Sequence, residues 1–145
     1  MPALPGWAGS PQAAAPYAAS FGAGDLRRVR RAVAEWAVQA GLRGRRAGDF
    51  LIAVNQIAST AVWRGSPLAR LKLQVAGGAV ALAEVRDGGR PPPGPPAAPA
   101  PGGLATGLQV ARRVCDEVTI HHSPKGSTVT LCMSLPGPHG PWAPG

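Results

Sequence analysis

The chain has 145 residues, enough for one compact domain with a core of its own. Its 15 Lys and Arg against 7 Asp and Glu give a formal net charge of +8, and its two cysteines, Cys115 and Cys132, exclude a disulfide framework. No apolar run reaches the roughly 18 residues a bilayer span needs, and no basic segment leads into an apolar one as in a signal peptide, so a cytoplasmic protein is expected.

Residues 1–20 are mostly Pro, Ala, Gly and Ser, and residues 136–145 hold four prolines and three glycines. Both are expected to be disordered tails around a folded domain at 21–135. Asp25 is a cap for a helix over 26–40, with Leu26, Val29, Val33, Trp36 and Ala40 on one face and Gly41 as its stop. Arg27, Arg28, Arg30 and Arg31 point away from that face. A basic loop, 41–48, leads to a second helix over 49–64, capped by Asp49 and ended by Gly65. Phe50, Leu51, Val54, Ile57, Ala58, Ala61 and Val62 make its core face, and Gln56 and Thr60, four apart, share one polar side.

Leu71, Leu73 and Val75 alternate with Lys72 and Gln74 as in a strand, and Gly77-Gly78 is a hairpin signal. Residues 79–86 return as a second strand, with alternation that falters near Glu84, as in a bulge or a strand buried on both faces. Seven prolines in 90–103 make a loop. Thr106 is a cap for a third helix over 107–115, with Leu108, Ala111, Val114 and Cys115 inward. Val118 and Ile120 suggest a strand, residues 123–126 a turn, and Val129, Leu131, Met133 and Leu135 a final strand. Hairpin-joined strands with interspersed helices predict an α+β fold: a two-layer sandwich of a mostly antiparallel sheet covered on one face by about three helices.

Other features read as structural. His121 and His122 are adjacent in a strand, point to opposite faces and cannot chelate one metal together. Neither cysteine has a partner in a Cys-x-x-Cys motif or a base beside it in sequence. No aromatic residues interleave the arginine runs as base stacking would require, so they read first as a solvated helix face and loop, with nucleic acid, a membrane surface or an acidic partner as the alternatives.

The order of a polar-striped helix, Asp87-Gly88-Gly89 after a hairpin, and Thr106-Gly107-Leu108 opening a helix resembles the Bergerat-type ATP-binding fold of histidine kinases, gyrase and the heat-shock chaperones. It is most similar to the small anti-sigma-factor serine kinases of actinobacteria. The resemblance covers 21–135. It implies that Asp87 accepts a hydrogen bond from the adenine amino group and that Gly89 lets the base approach the backbone. It implies an ATP lid at 90–105, phosphate contacts at Thr106, Gly107 and Leu108, and pocket closure by Gly126-Ser127-Thr128-Val129, with Thr128 as a ligand contact.

The family's general-base Glu and Mg²⁺-holding Asn fall at Gln56 and Thr60, and a glycine of the second box falls at Ala105. Gln takes up no proton near neutral pH, and a Thr hydroxyl is a poorer Mg²⁺ ligand than an amide carbonyl. The expectation is therefore a regulatory protein that binds a sigma factor or an anti-sigma antagonist, and ATP, with Mg²⁺ and kinase activity weakened or lost. The resemblance also implies a homodimer. A competent serine kinase, a basic nucleic-acid-binding protein and a ligand-free scaffold remain as alternatives.

Overall fold

The structure, a computed structural model, describes residues 14–63, 68–87, 104–124 and 126–136. Its elements in chain order are β1 (Tyr17–Phe21), a 3-10 turn (Ala23–Asp25), α1 (Leu26–Ala40), α2 (Gly44–Trp63), β2 (Ala69–Ala76), β3 (Val80–Asp87), α3 (Leu104–Val114), β4 (Glu117–Ser123) and β5 (Gly126–Ser134). The five strands form one sheet in the order β1-β2-β3-β5-β4, every neighbour antiparallel. With three α-helices, this is the expected α+β sandwich.

The sheet sorts its residues by strand period. Ala69, Leu71 and Leu73 of β2, Ala81, Ala83 and Val85 of β3, and Val129, Leu131 and Met133 of β5 are buried on one face. Against them pack Val29, Val33, Trp36 and Ala37 of α1 and Phe50, Ala53, Val54, Ile57 and Ala58 of α2. The Trp36 and Phe50 rings stack with centroids 6.0 Å apart. The alternation of β3 is regular through Glu84, which lies on the outer face opposite Lys72 and Thr130, so there is neither bulge nor two-sided burial. Gly77 and Gly78 both have φ near +60°, the backbone such a tight hairpin demands, and the Ala79 N–H closes the turn on the Ala76 carbonyl.

Three boundaries and one helix cap differ from the sequence reading. Residues 17–20, expected to be disordered, belong to β1, which pairs with β2 from Tyr17↔Leu73 to Phe21↔Ala69. Phe21 is fully buried, and the Trp36 indole N–H donates to the Ala15 carbonyl at 2.9 Å, tying the preceding segment down. Asp25 precedes α1 without capping it; its carboxylate accepts from the Gly22 N–H behind it. The second helix starts at Gly44, so Asp49 is no cap but an interior residue 3.8 Å from Arg45 one turn earlier. The connection shrinks to residues 41–43 because Gly41, at φ +111°, ends α1 while Leu42 and Gly41 donate back to Ala37 and Val38. The third helix starts at Leu104, so Thr106 lies inside it rather than capping it.

The start of α2 is fixed by Arg46, whose guanidinium makes two hydrogen bonds to the Asp116 carboxylate and a third to the Ser134 carbonyl. Asp116 also accepts from the Ser134 N–H at 2.7 Å. The Arg46 guanidinium, with that N–H, holds the Asp116 carboxyl down at about 2. A depressed carboxylate stabilises the fold above its unfolded value and loses that contribution as pH falls toward the folded one. Stability should therefore drop between about pH 4 and pH 2, by about 1 kcal/mol once solvent screening of this half-exposed pair is allowed for. Urea midpoints across that range measure the drop, and Asp116→Asn should flatten it.

Candidate functional site

Between α2 and the end of the sheet where β3 finishes lies a recess lined by Ile57, Thr60, Ala61, Val85, Asp87, Ser127 and Val129. It holds about 10 Å³, room for about one water molecule. Its polar atoms come from three elements. Asp87 is the last residue of β3, Ser127 sits opposite it on β5, and Thr60 faces both from α2. Ser127 in turn lies opposite His122 on β4, and its hydroxyl is 2.8 Å from His122 Nδ1. One sheet row thus places Asp87, Ser127 and His122 on three consecutive strands.

Asp87 and Thr60 both line the recess. Gln56 does not line it but lies one turn back along α2, where its backbone carbonyl accepts the Thr60 hydroxyl at 2.9 Å. Gly107 of α3 is buried against this turn. A Cβ on it would stand 3.5 Å from Thr60 Oγ1 and 3.6 Å from the Gln56 carbonyl oxygen. The glycine expected to meet phosphate therefore serves as a close helix–helix contact in this conformation. Leu108 beside it is half-buried against the core. Thr106 lies in the first turn of α3, and Gly89 and most of the expected lid fall outside the described residues.

Thr128 is displaced from its expected role. It pairs with Arg86 and His121 on the outer face, away from the recess, and the inward residue of that stretch is Ser127. The missed signal was strand parity: Val129, Leu131 and Met133 point inward, so Ser127 must as well. Asn55 is absent from the recess lining; its Oδ1 is buried without a hydrogen-bond partner, for which nothing in the structure accounts.

The donor set fits one of the ligands the resemblance implies and not the other. An acceptor-only carboxylate beside a hydroxyl suits the amino edge of a purine, although a space of about 10 Å³ must widen to admit one. Mg²⁺ finds no such match. A Thr hydroxyl is a poorer ligand than an amide carbonyl, no cluster of three His, Cys, Asp or Glu exists among the described residues, and a divalent ion wants several oxygen ligands. The thiols are not reactive groups either, since burial pushes Cys115 up to about 12 and raises Cys132.

The sequence profile described as histidine kinase-like ATPase domain matches residues 20–133. The chain belongs to that family. Among solved structures it is similar to the RsbU and RsbW domains of Rv1364c from Mycobacterium tuberculosis, with a TM-score of 0.64 and 24% identity over 85% of this chain. The match spans 34% of that longer chain, so the likeness concerns the fold. No curated protein matches. No described helix is long and apolar enough to cross a membrane.

The Gly107 contact makes a graded prediction. An alanine methyl there meets its neighbours at ordinary contact distance, and replacing glycine inside a helix returns roughly 0.5–1 kcal/mol. Gly107→Ala should leave stability unchanged or slightly raised, whereas Gly107→Val should force α3 off α2 and cost about 1–3 kcal/mol. Denaturation midpoints of the two variants separate these outcomes.

Proposed function

We propose that this chain is a regulatory protein of the histidine kinase-like ATPase family that binds adenine nucleotide weakly and acts by docking a protein partner. A sigma factor or an anti-sigma antagonist is the partner class the anti-sigma-kinase resemblance implies. Phosphotransfer is weakened or lost. The observation that carries the reading is the split character of the site. Asp87 and Ser127 face a common recess with the chemistry to hold a purine edge, while the positions for a base and a metal ligand hold Gln56 and Thr60. The Gln56 amide takes up no proton, and the Thr60 hydroxyl, which donates to the Gln56 carbonyl, offers Mg²⁺ a poorer ligand than an amide oxygen.

On this reading nucleotide entry requires the recess to widen, with α2 and the α3 packed on it at Gly107 shifting against the sheet. A ligand that binds only the opened state spends part of its binding free energy on the opening, which lowers its apparent affinity. Occupancy of the site then changes the placement of α3, which is how nucleotide would bias a partner's docking. The exposed arginines of α1, Arg27, Arg30 and Arg31, add long-range attraction for an acidic partner.

Thermal unfolding with ADP or ATP, each with and without Mg²⁺, tests the reading in wild type and Asp87→Asn. At about 100 times its dissociation constant a nucleotide should add about 2.7 kcal/mol to the native state. We expect a shift in wild type, none in Asp87→Asn, and no further shift from Mg²⁺. A shift that survives in Asp87→Asn, or one seen only with Mg²⁺, would overturn it.

A further inference from the structure

The helices pack on one face of the sheet, and the other face carries an unbalanced pair of charges. Register partners place Ser20, Arg70, Arg86, Thr128 and His121 in one row across all five strands. Arg70 and Arg86 stand directly opposite each other on β2 and β3, and both are exposed. Like charges in that position destabilise a sheet. In the neighbouring row Lys72 faces Glu84. These four side chains, with Ala18 and Leu71, border a groove of about 240 Å³.

The chain has no carboxylate to spare for the two arginines. All seven acidic residues lie in the described segments. Asp25, Asp49 and Asp116 are paired with Arg28, Arg45 and Arg46. Asp87 points into the recess on the opposite face, and Glu84 is set against Lys72. Glu35 is on α1, and Glu117 opens the edge strand β4, two strands from β3 and level with Cys132. Arg70, Lys72 and Arg86 thus outnumber the one carboxylate of the groove, Glu84, and leave it net positive and open to an acidic partner.

We propose that this outer face docks an acidic segment of a partner protein, with Arg70 and Arg86 clamping a carboxylate between them. Ser20 and Thr128 flank the clamp with hydroxyl donors. Lys72 and Glu84 form the neighbouring row, where a segment of mixed charge fits better than a uniform polyanion. Glu84 would repel a phosphate chain laid along the groove, and the outward positions of the five strands carry no Phe, Tyr or Trp for bases to stack on. The inference gives the protein partner of the preceding reading its docking place and rests on that reading only for there being such a partner.

Fluorescence polarisation with a labelled short peptide of Glu, Asp and Leu tests it, beside a labelled single-stranded oligonucleotide. Arg86→Glu should weaken the peptide by about tenfold or more, while Arg43→Glu in the connection between α1 and α2, the same change of net charge, should weaken it by less than about twofold. Arg86→Glu also sets opposite charges across the strand pair, so its melting midpoint should rise rather than fall. Loss of binding together with a gain in stability excludes unfolding as the cause. Absence of peptide binding to wild type, equal weakening by both variants, or tighter binding of the oligonucleotide with loss in Arg86→Glu would overturn the proposal. Arg86 is on the face opposite Asp87, so the nucleotide shift should persist in Arg86→Glu, and each reading can fail without the other.

Discussion

The close approach of α3 to α2 at Gly107 governs the candidate site. Only a small residue lets the two helices meet this closely, since a Cβ at Gly107 would already stand at van der Waals distance from the Thr60 hydroxyl and the Gln56 carbonyl. That contact covers the turn of α2 on which family chemistry would be built, beside a recess of about the volume of one water molecule. The sheet below is rigid by comparison: five antiparallel strands with a buried face of Leu, Val, Ala and Met leave little freedom to Asp87 and Ser127. Any opening must come from the helix layer, and α3 is its shortest α-helix.

Much of the fold was legible because the apolar spacing is strong where packing is two-sided. Residues 50–62 and 129–133 bury nearly the faces their periodicity marks, and the Gly41 and Gly77-Gly78 signals fall where positive φ is needed. The failures share a cause, which is that local signals were overridden by contacts distant in sequence. Tyr17–Phe21 has two alanines and a serine, and nothing local distinguishes it from the stretch before it; Phe21 in the core and the Trp36–Ala15 hydrogen bond decide its fate. Asp49 looks like a helix cap, but the helix starts earlier because Gly44 supplies a left-handed backbone and Arg46 reaches Asp116, 70 residues on.

The site was legible in part. Asp87 and Thr60 share the recess, as two residues 27 positions apart in the sequence could only do through this topology. Thr128 was misplaced by one residue, and in a strand one residue is the difference between the two faces. Ser127 and its contact with His122 were invisible to motif reasoning because the pairing of β4 with β5 sets them side by side. The outer row of Arg70 and Arg86 was equally hidden, since it depends on the register of β2 against β3 and not on any run of charge in the sequence.

On the proposed reading the base-recognition half of the site survives while the phosphate and metal half is shut. Calorimetric titration of adenosine against ATP with Mg²⁺ addresses that division most directly. If the division holds, the triphosphate and its metal add little, and the two dissociation constants agree within about threefold, under about 0.7 kcal/mol. An ATP–Mg²⁺ complex bound about a hundredfold more tightly than adenosine would contradict it, since about 2.7 kcal/mol would then be coming from phosphate and metal contacts near Gln56, Thr60 and Gly107.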